Sequence, residues 1–135
     1  MSTILMDNGD GTITDKRTGL MWQGAEDGTK HNYSDALAYC RSLELAGHNG
    51  WRLPRKEELA ALSTERFETL KQFFPNIQEE RYWAHTMADE LHWAEAPERI
   101  AYTVDFDPSS GNYRRPITYF RTYSYFVRAV RKDNK

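Results

Sequence analysis

Ala101-Tyr102-Thr103-Val104-Asp105-Phe106 alternates side chains at the period of a strand with one buried face. Other stretches after Pro75 read the same way: Tyr82-Trp83-Ala84-His85-Thr86, Tyr113 to Ile117, and Tyr125 to Val130. The cluster Pro108-Ser109-Ser110-Gly111-Asn112 supplies a turn between them. Before Pro75 the period changes. Asn32 or Ser34 caps a predicted helix running to about Ala46, with Ala36, Leu37, Cys40 and Leu43 at helical spacing and Gly47 as its stop. Pro54 opens a second helix, Arg55 to about Leu62, with Glu57 and Glu58 near its positive end. Phe67, Leu70 and Phe74 add a further helical turn that Pro75 ends. Helices early and strands late predict an α+β fold with an antiparallel sheet.

The N-terminal part also carries β signals. Asp7-Asn8-Gly9-Asp10-Gly11-Thr12-Ile13-Thr14-Asp15 reads as a hairpin, because Asn-Gly and Asp-Gly accept positive φ and Thr-Ile-Thr favours strands. Thr18-Gly19 is a second turn, and Leu20-Met21-Trp22-Gln23 a short strand. Trp22, Trp51, Phe106, Phe126 and Val130 are expected in the core.

With 135 residues, the chain suits one domain spanning residues 1–135. Charged residues at 28% and apolar residues at 39% fit a folded composition. No apolar run approaches the roughly 20 residues of a membrane span, so no membrane insertion is expected. Met1 to Asp7 lacks a basic region and a long apolar core. The expectation is therefore a cytoplasmic protein or a fragment of an exported one.

The net charge of −2 hides an asymmetry. Arg114, Arg115, Arg121, Arg128, Arg131 and Lys132 lie in a run from Tyr113 to Lys132 with no acidic residue. Two readings stay open: an anionic partner, or pairing within the fold to acids such as Glu95, Asp105 and Asp107. Aromatics interleave with this run, as in nucleic-acid binders, but a slightly acidic chain makes nucleic acid an unlikely partner.

Catalytic and metal signatures are sparse. Cys40 is the only cysteine, which excludes an intrachain disulfide, a four-thiolate zinc site and a Cys-x-x-Cys centre. It falls on the apolar face of the first helix, where burial is expected. His31, His48, His85 and His92 form no His-x-x-x-His pair, though His85 and His92 are close enough to meet across strands. The acids at 7–15 crowd one loop, yet a calcium loop aligned on Gly11 would place Met6 and Arg17 at its first and last ligand positions. No Gly-x-Ser-x-Gly elbow or phosphate loop occurs. No cofactor and no enzymatic activity are expected.

Three motifs in order, with Tyr82-Trp83 and Val104-Asp105-Phe106 between them, carry a family resemblance. They are Asp7 to Asp15 running into Thr18-Gly19-Leu20-Met21-Trp22, Gly50-Trp51-Arg52-Leu53-Pro54 followed by Glu57-Glu58-Leu59, and Phe126-Val127-Arg128-Ala129-Val130-Arg131. The chain resembles the bacterial family DUF1566, also named for the C-terminal domain of a collagen-like adhesin. The resemblance implies a C-type-lectin-like fold: two early helices flank a twisted antiparallel sheet, long loops carry the ligand surface, and the N- and C-terminal strands pair. That fold serves glycan binders, receptor-binding and phage tropism proteins, and formylglycine-generating enzymes, so it leaves function open. The Glu-Pro-Asn, Gln-Pro-Asp and Trp-Asn-Asp triplets of calcium-dependent lectins are missing, as are the late reactive cysteines of the enzymes. After Tyr-Trp the family's Ser-Ser-Thr is Ala84-His85-Thr86 here.

The expected function is a non-catalytic binding module. It recognises a glycan, neutral or anionic, or a protein surface through an aromatic and basic C-terminal face. The candidate ligand-binding residues are Trp83, His85, Trp93, Arg114, Arg115, Tyr119, Arg121 and Tyr123. A self-associating assembly subunit is the alternative, and an enzyme akin to the formylglycine-generating branch a more distant one.

Overall fold

The computed structural model describes residues 4–133; residues 1–3 of the N-terminal segment, and residues 134–135, lie outside the described residues. Strands β1 (Leu5–Asp7), β2 (Thr12–Asp15) and β3 (Leu20–Gln23) form an antiparallel meander. Helices α1 (Tyr33–Ser42), α2 (Lys56–Leu62) and α3 (Phe67–Phe73) follow. Strands β4 (Arg81–Trp83), β5 (Ile100–Asp105) and β6 (Pro116–Phe120) make a second antiparallel sheet in that order. Strand β7 (Val130–Lys132) then returns to β3, with Val130 opposite Trp22, and completes the order β1-β2-β3-β7. The fold is α+β, with three helices and two antiparallel sheets among the described residues. None of those helices is long and apolar enough to cross a membrane.

The acid-rich loop at 7–15 is the hairpin turn that its Asn-Gly and Asp-Gly pairs predict. Its carboxylates serve its own backbone: Asp7 Oδ1 accepts from Gly9 N at 2.9 Å, and Asp10 Oδ1 from Thr12 N at 3.0 Å. The terminal strands share a sheet but do not pair with each other. β1 stands at one edge, because β2 occupies its inner side, and the free edge of β3 takes β7.

Helix α1 starts where expected, with Asn32 Oδ1 accepting from Asp35 N at 2.9 Å. It stops earlier than its periodicity suggests. Leu43 is extended, and Ala46 and Gly47, both at positive φ, form a tight turn that pairs Leu45 with His48. Gly47 is spent in this turn rather than as a helix stop. The turn keeps Leu43 and Leu45 against the core, and Trp51 Nε1 donates to the His48 carbonyl at 3.1 Å.

Two apolar clusters fill the interior, and three segments run between them. On β3, Leu20 and Trp22 enter the first cluster while Met21 enters the second. On β4, Tyr82 enters the first and Trp83 the second. Phe126 and Val130 join the first, and Val127 and Ala129 the second. Strand-like alternation thus buries both faces. Residues 125–129 alternate as a strand would but do not form a ladder. They pass from one sheet to the other: Phe126 bridges Tyr82, Gln23 N donates to Ala129 O at 2.9 Å, and Val130 exchanges backbone hydrogen bonds with Arg52.

Arg128 lies inside this crossing, 1% exposed. Its Nη1 donates to the carbonyls of Gln23 and Gly24, both at 2.7 Å. Its Nη2 is 3.5 Å from Glu26 Oε2, and its guanidinium carbon lies 4.8 Å from the Phe74 ring centroid. Tyr82 Oη donates to Glu26 Oε1 at 2.8 Å. Burial raises the Glu26 pKa, while Arg128 and the Tyr82 hydrogen bond pull it down. Gly24 is required here, since a Cβ would come within 2.6 Å of the Gly11 carbonyl oxygen.

Arg128→Ala is expected to destabilise the fold by about 3–5 kcal/mol, because Glu26 would stay buried without its counter-charge. Glu26→Gln retains the Tyr82 partner and should cost less. A folded-state pKa raised above the ordinary 4.5 means that the native state binds the proton more tightly. The contribution of Glu26 to stability is therefore full below that value and lost as pH climbs through the raised one. Urea unfolding should show the wild type losing stability relative to Glu26→Gln as pH rises from about 4.5 to 7.

Candidate functional site

Strand β6 and the turn after it carry a chain of aromatic rings. Phe120 and Tyr123, 50% and 48% exposed, meet edge to face with centroids 5.6 Å apart. Tyr119 lies 6.3 Å from Tyr123 and 5.4 Å from Tyr125. Tyr125 meets Trp83 edge to face at 5.2 Å, and Trp83 meets Tyr33 of α1 at 5.4 Å. The rings thus run from solvent at Phe120 to the buried Trp83.

Two arginines brace this ladder rather than project from it. Arg81 sets its guanidinium 4.8 Å from the Tyr119 ring centroid, while its Nη1 donates to Thr103 Oγ1 at 3.2 Å and its Nη2 lies 3.6 Å from Asp105 Oδ2. Arg121 covers the Tyr33 ring at 4.7 Å. Its Nε donates to the Ile100 carbonyl at 2.9 Å, its backbone N–H to the Arg99 carbonyl at 2.8 Å, and its carbonyl accepts from Tyr33 N at 3.0 Å. One residue thus ties the end of β6 to the starts of β5 and α1.

Beside the ladder lies a depression of about 300 Å³ lined by Asn32, Tyr33, Ser34, Leu37, Arg121 and Thr122. Its polar groups are the Ser34 and Thr122 hydroxyls, the Asn32 amide and the Arg121 guanidinium, and its apolar surface comes from Tyr33 and Leu37. Such a lining suits a polyhydroxylated ring better than a fully apolar ligand.

The sequence-derived candidates divide. Tyr119, Arg121 and Tyr123 come together in the ladder. Trp83 does not face a ligand: it is 0% exposed, and its Nε1 donates to the His31 carbonyl at 2.7 Å. Tyr33 and Tyr125 pack on Trp83 while Phe106 and Phe126 pack on Tyr82, so both faces of β4 are covered. Trp93 is 57% exposed, after the 3-10 turn Ala88–Leu91, and its Nε1 donates to the Glu90 carbonyl at 3.2 Å. Arg114, at φ 70°, donates from Nε to the Ser63 carbonyl at 2.6 Å and stacks on Tyr113. Arg115 is exposed. His85 is half-buried in a different cavity, with Arg41 and Arg52.

Three of the six basic residues in the run are therefore engaged within the fold. Arg128 is in the core, and Arg114 and Arg121 spend their Nε atoms on backbone carbonyls. The acids named as internal partners are not those used: Asp105 pairs with Arg81, and Glu26 with Arg128. Phe120, Tyr125, Tyr33 and Arg81 complete the ladder without having been singled out. The density of aromatics at 119–126 pointed to the first two. Arg81 and Tyr33 arrive from distant segments, with no local signal.

Burial pushes the Cys40 thiol up to about 12, which leaves it protonated at neutral pH. Among the described residues no group of three His, Cys, Asp or Glu side chains gathers as a metal site would. A family model described as the Lcl C-terminal domain matches residues 11–131. No curated protein matches the chain significantly.

The two tryptophans should separate cleanly in a stability assay. Trp83→Ala is expected to cost about 3–5 kcal/mol through cavity formation, while Trp93→Ala should stay within about 0.5 kcal/mol of wild type. Chemical denaturation followed by far-UV circular dichroism would check both.

Proposed function

Since this chain belongs to the Lcl C-terminal domain family, a DUF1566-like family, we propose that it is a non-catalytic binding module with a C-type-lectin-like fold. Its ligand is a glycan, which it holds at the aromatic ladder. The observation that carries this reading is the exposed Phe120–Tyr123 pair on a braced scaffold, next to a depression whose polar groups are two hydroxyls, an amide and the Arg121 guanidinium. Flat rings stack on the C–H faces of sugars, and nearby hydrogen-bonding groups orient the hydroxyls. Arg81 and Arg121 hold Tyr119 and Tyr33 in place, so little ordering entropy would be lost on binding.

A charge-only mode is less well supported. Three of the six basic residues of 113–132 are engaged within the fold, so an anionic glycan would meet fewer free charges than the run suggests. Exposed aromatics also anchor protein interfaces, and that favours a protein partner as the second reading.

A glycan panel, with sulfated and neutral members, tests the proposal in calcium and in chelator at two salt concentrations. The expected result is chelator-insensitive binding with a shallow salt dependence. Phe120→Ala and Tyr123→Ala should each weaken it about tenfold, or ~1.4 kcal/mol, with the melting temperature unchanged. Silence across the panel, together with a dimer that Tyr123→Ala dissociates, would replace the glycan reading with the protein one.

A further inference from the structure

A second cavity opens on the other side of Leu37. It measures about 140 Å³, roughly the space of five waters at about 30 Å³ each. Leu37, Trp51 and Leu53 supply its apolar lining; Arg41, Arg52 and His85 supply its polar groups. These come from three separated segments: α1, the Trp51-Arg52-Leu53 stretch before α2, and the residues after β4. The placement is firm. His85 bridges Arg55, and its backbone N–H donates to the Pro54 carbonyl at 2.7 Å.

The charges around this cavity are unevenly satisfied. Arg52 is matched by Glu58, with Nη1 to Oε1 at 2.8 Å and Nη2 to Oε2 at 2.9 Å. Glu90 is held by Lys56 Nζ at 2.6 Å and Met87 N at 2.6 Å. Among the described residues, Arg41 has no carboxylate partner, and the His85 ring has no hydrogen-bond partner. A free guanidinium and a free imidazole therefore share the mouth of a pocket whose remaining walls are apolar apart from the Glu58-paired Arg52.

We propose that this cavity binds a carboxylate carried on a short apolar group. Arg41 pairs with the carboxylate, His85 donates a hydrogen bond to it, and Leu37, Leu53 and Trp51 enclose the apolar part. Arg52 contributes positive potential while Glu58 keeps it in place. A bare inorganic anion would leave the apolar walls unused. An uncharged ligand would leave Arg41 unpaired. The site is separate from the aromatic ladder and does not depend on the glycan reading.

The surroundings of His85 predict a pH dependence. Burial, then Arg55 and Arg52, and more weakly Arg41, hold its pKa below the ordinary 6.5, with Glu90 opposing them. The ring is thus neutral at pH 7.5. Acidification protonates it and adds a positive charge beside the bound carboxylate, so affinity rises as pH falls.

Isovalerate is the first probe, followed by heteronuclear NMR on the full chain, with isovaleramide and sulfate as controls. A short peptide ending in valine distinguishes a protein C-terminus from a free acid as the source. The expected result is saturable shifts at Arg41 and His85 with isovalerate, and at least tenfold weaker binding of isovaleramide and of sulfate. Tighter binding of the peptide than of isovalerate would assign the carboxylate to a protein chain end; the reverse would assign it to a small acid. Arg41→Ala, at an exposed position, should weaken binding at least tenfold without changing the melting temperature. Tyr123→Ala should leave it unchanged. Affinity should increase from pH 7.5 to 5.5 in the wild type but not in His85→Asn. Equal binding of acid and amide, sulfate binding as tight as that of isovalerate, or full affinity in Arg41→Ala would overturn the proposal.

Discussion

A guanidinium buried between the two sheets holds this molecule together. Arg128 enters a space where an unpaired charge would be very costly, and the chain supplies two carbonyls, a carboxylate and two aromatic faces to receive it. Those groups belong to the end of β3 and the segment after it, to the residue that caps α3 and to β4. Satisfying one side chain therefore locks four parts of the fold into a single arrangement. Nε and Nη2 of Arg128 and Oε2 of Glu26 make no hydrogen bond, so the pair acts through charge at 3.5 Å while the carbonyls provide direction. The interaction specifies the crossing of residues 125–129 more than it adds to net stability.

The candidate ligand surface depends on that crossing. Residues 125–129 bring Tyr125 onto Trp83, and Trp83 packs on Tyr33, so the inner rings of the ladder are packed against one another. Arg121 repeats the same device nearer the surface, with its donors directed to backbone carbonyls and its flat face on a ring. Only Phe120 and Tyr123 are left open to solvent. Arg114, Arg121 and Arg128 thus act as internal fasteners, which removes half of the run's six positive charges from free display. The cavity at Arg41 is different, because there a cation stands without a partner.

Much of the architecture was legible beforehand. The hairpin at 7–15, the Asn32 cap, the helix after Pro54, the alternation at 101–106 and the buried Trp22, Trp51, Phe106, Phe126 and Val130 all follow from local signals. Turn residues, capping side chains and periodicity act within a few residues, so sequence shows them directly. The end of α1 falls short of the periodicity because Leu43 continues the helical stripe of Ala36, Leu37 and Cys40. A tight turn and packing against the second cluster decided otherwise. The site was less legible: Tyr119, Arg121 and Tyr123 lie together, with Arg121 bracing rather than projecting, while Trp83 is covered and Arg114 is tied to the end of α2.

The sequence by itself determined the α+β class, the early helices, the N-terminal hairpin, the burial of Cys40 and the family, because these rest on periodicity, turn chemistry and ordered motifs; the late strands lie at 116–120 and 130–132 rather than at 113–117 and 125–130. Only the tertiary structure decided which aromatics and arginines face solvent. Alternation in a strand says that neighbouring side chains point to opposite faces; it does not say whether either face is free. In β4 both faces are covered, by Tyr33 and Tyr125 over Trp83 and by Phe106 and Phe126 over Tyr82, all from other elements of the chain. For Arg128 the long-range partners turned an apparent surface charge into the centre of the core.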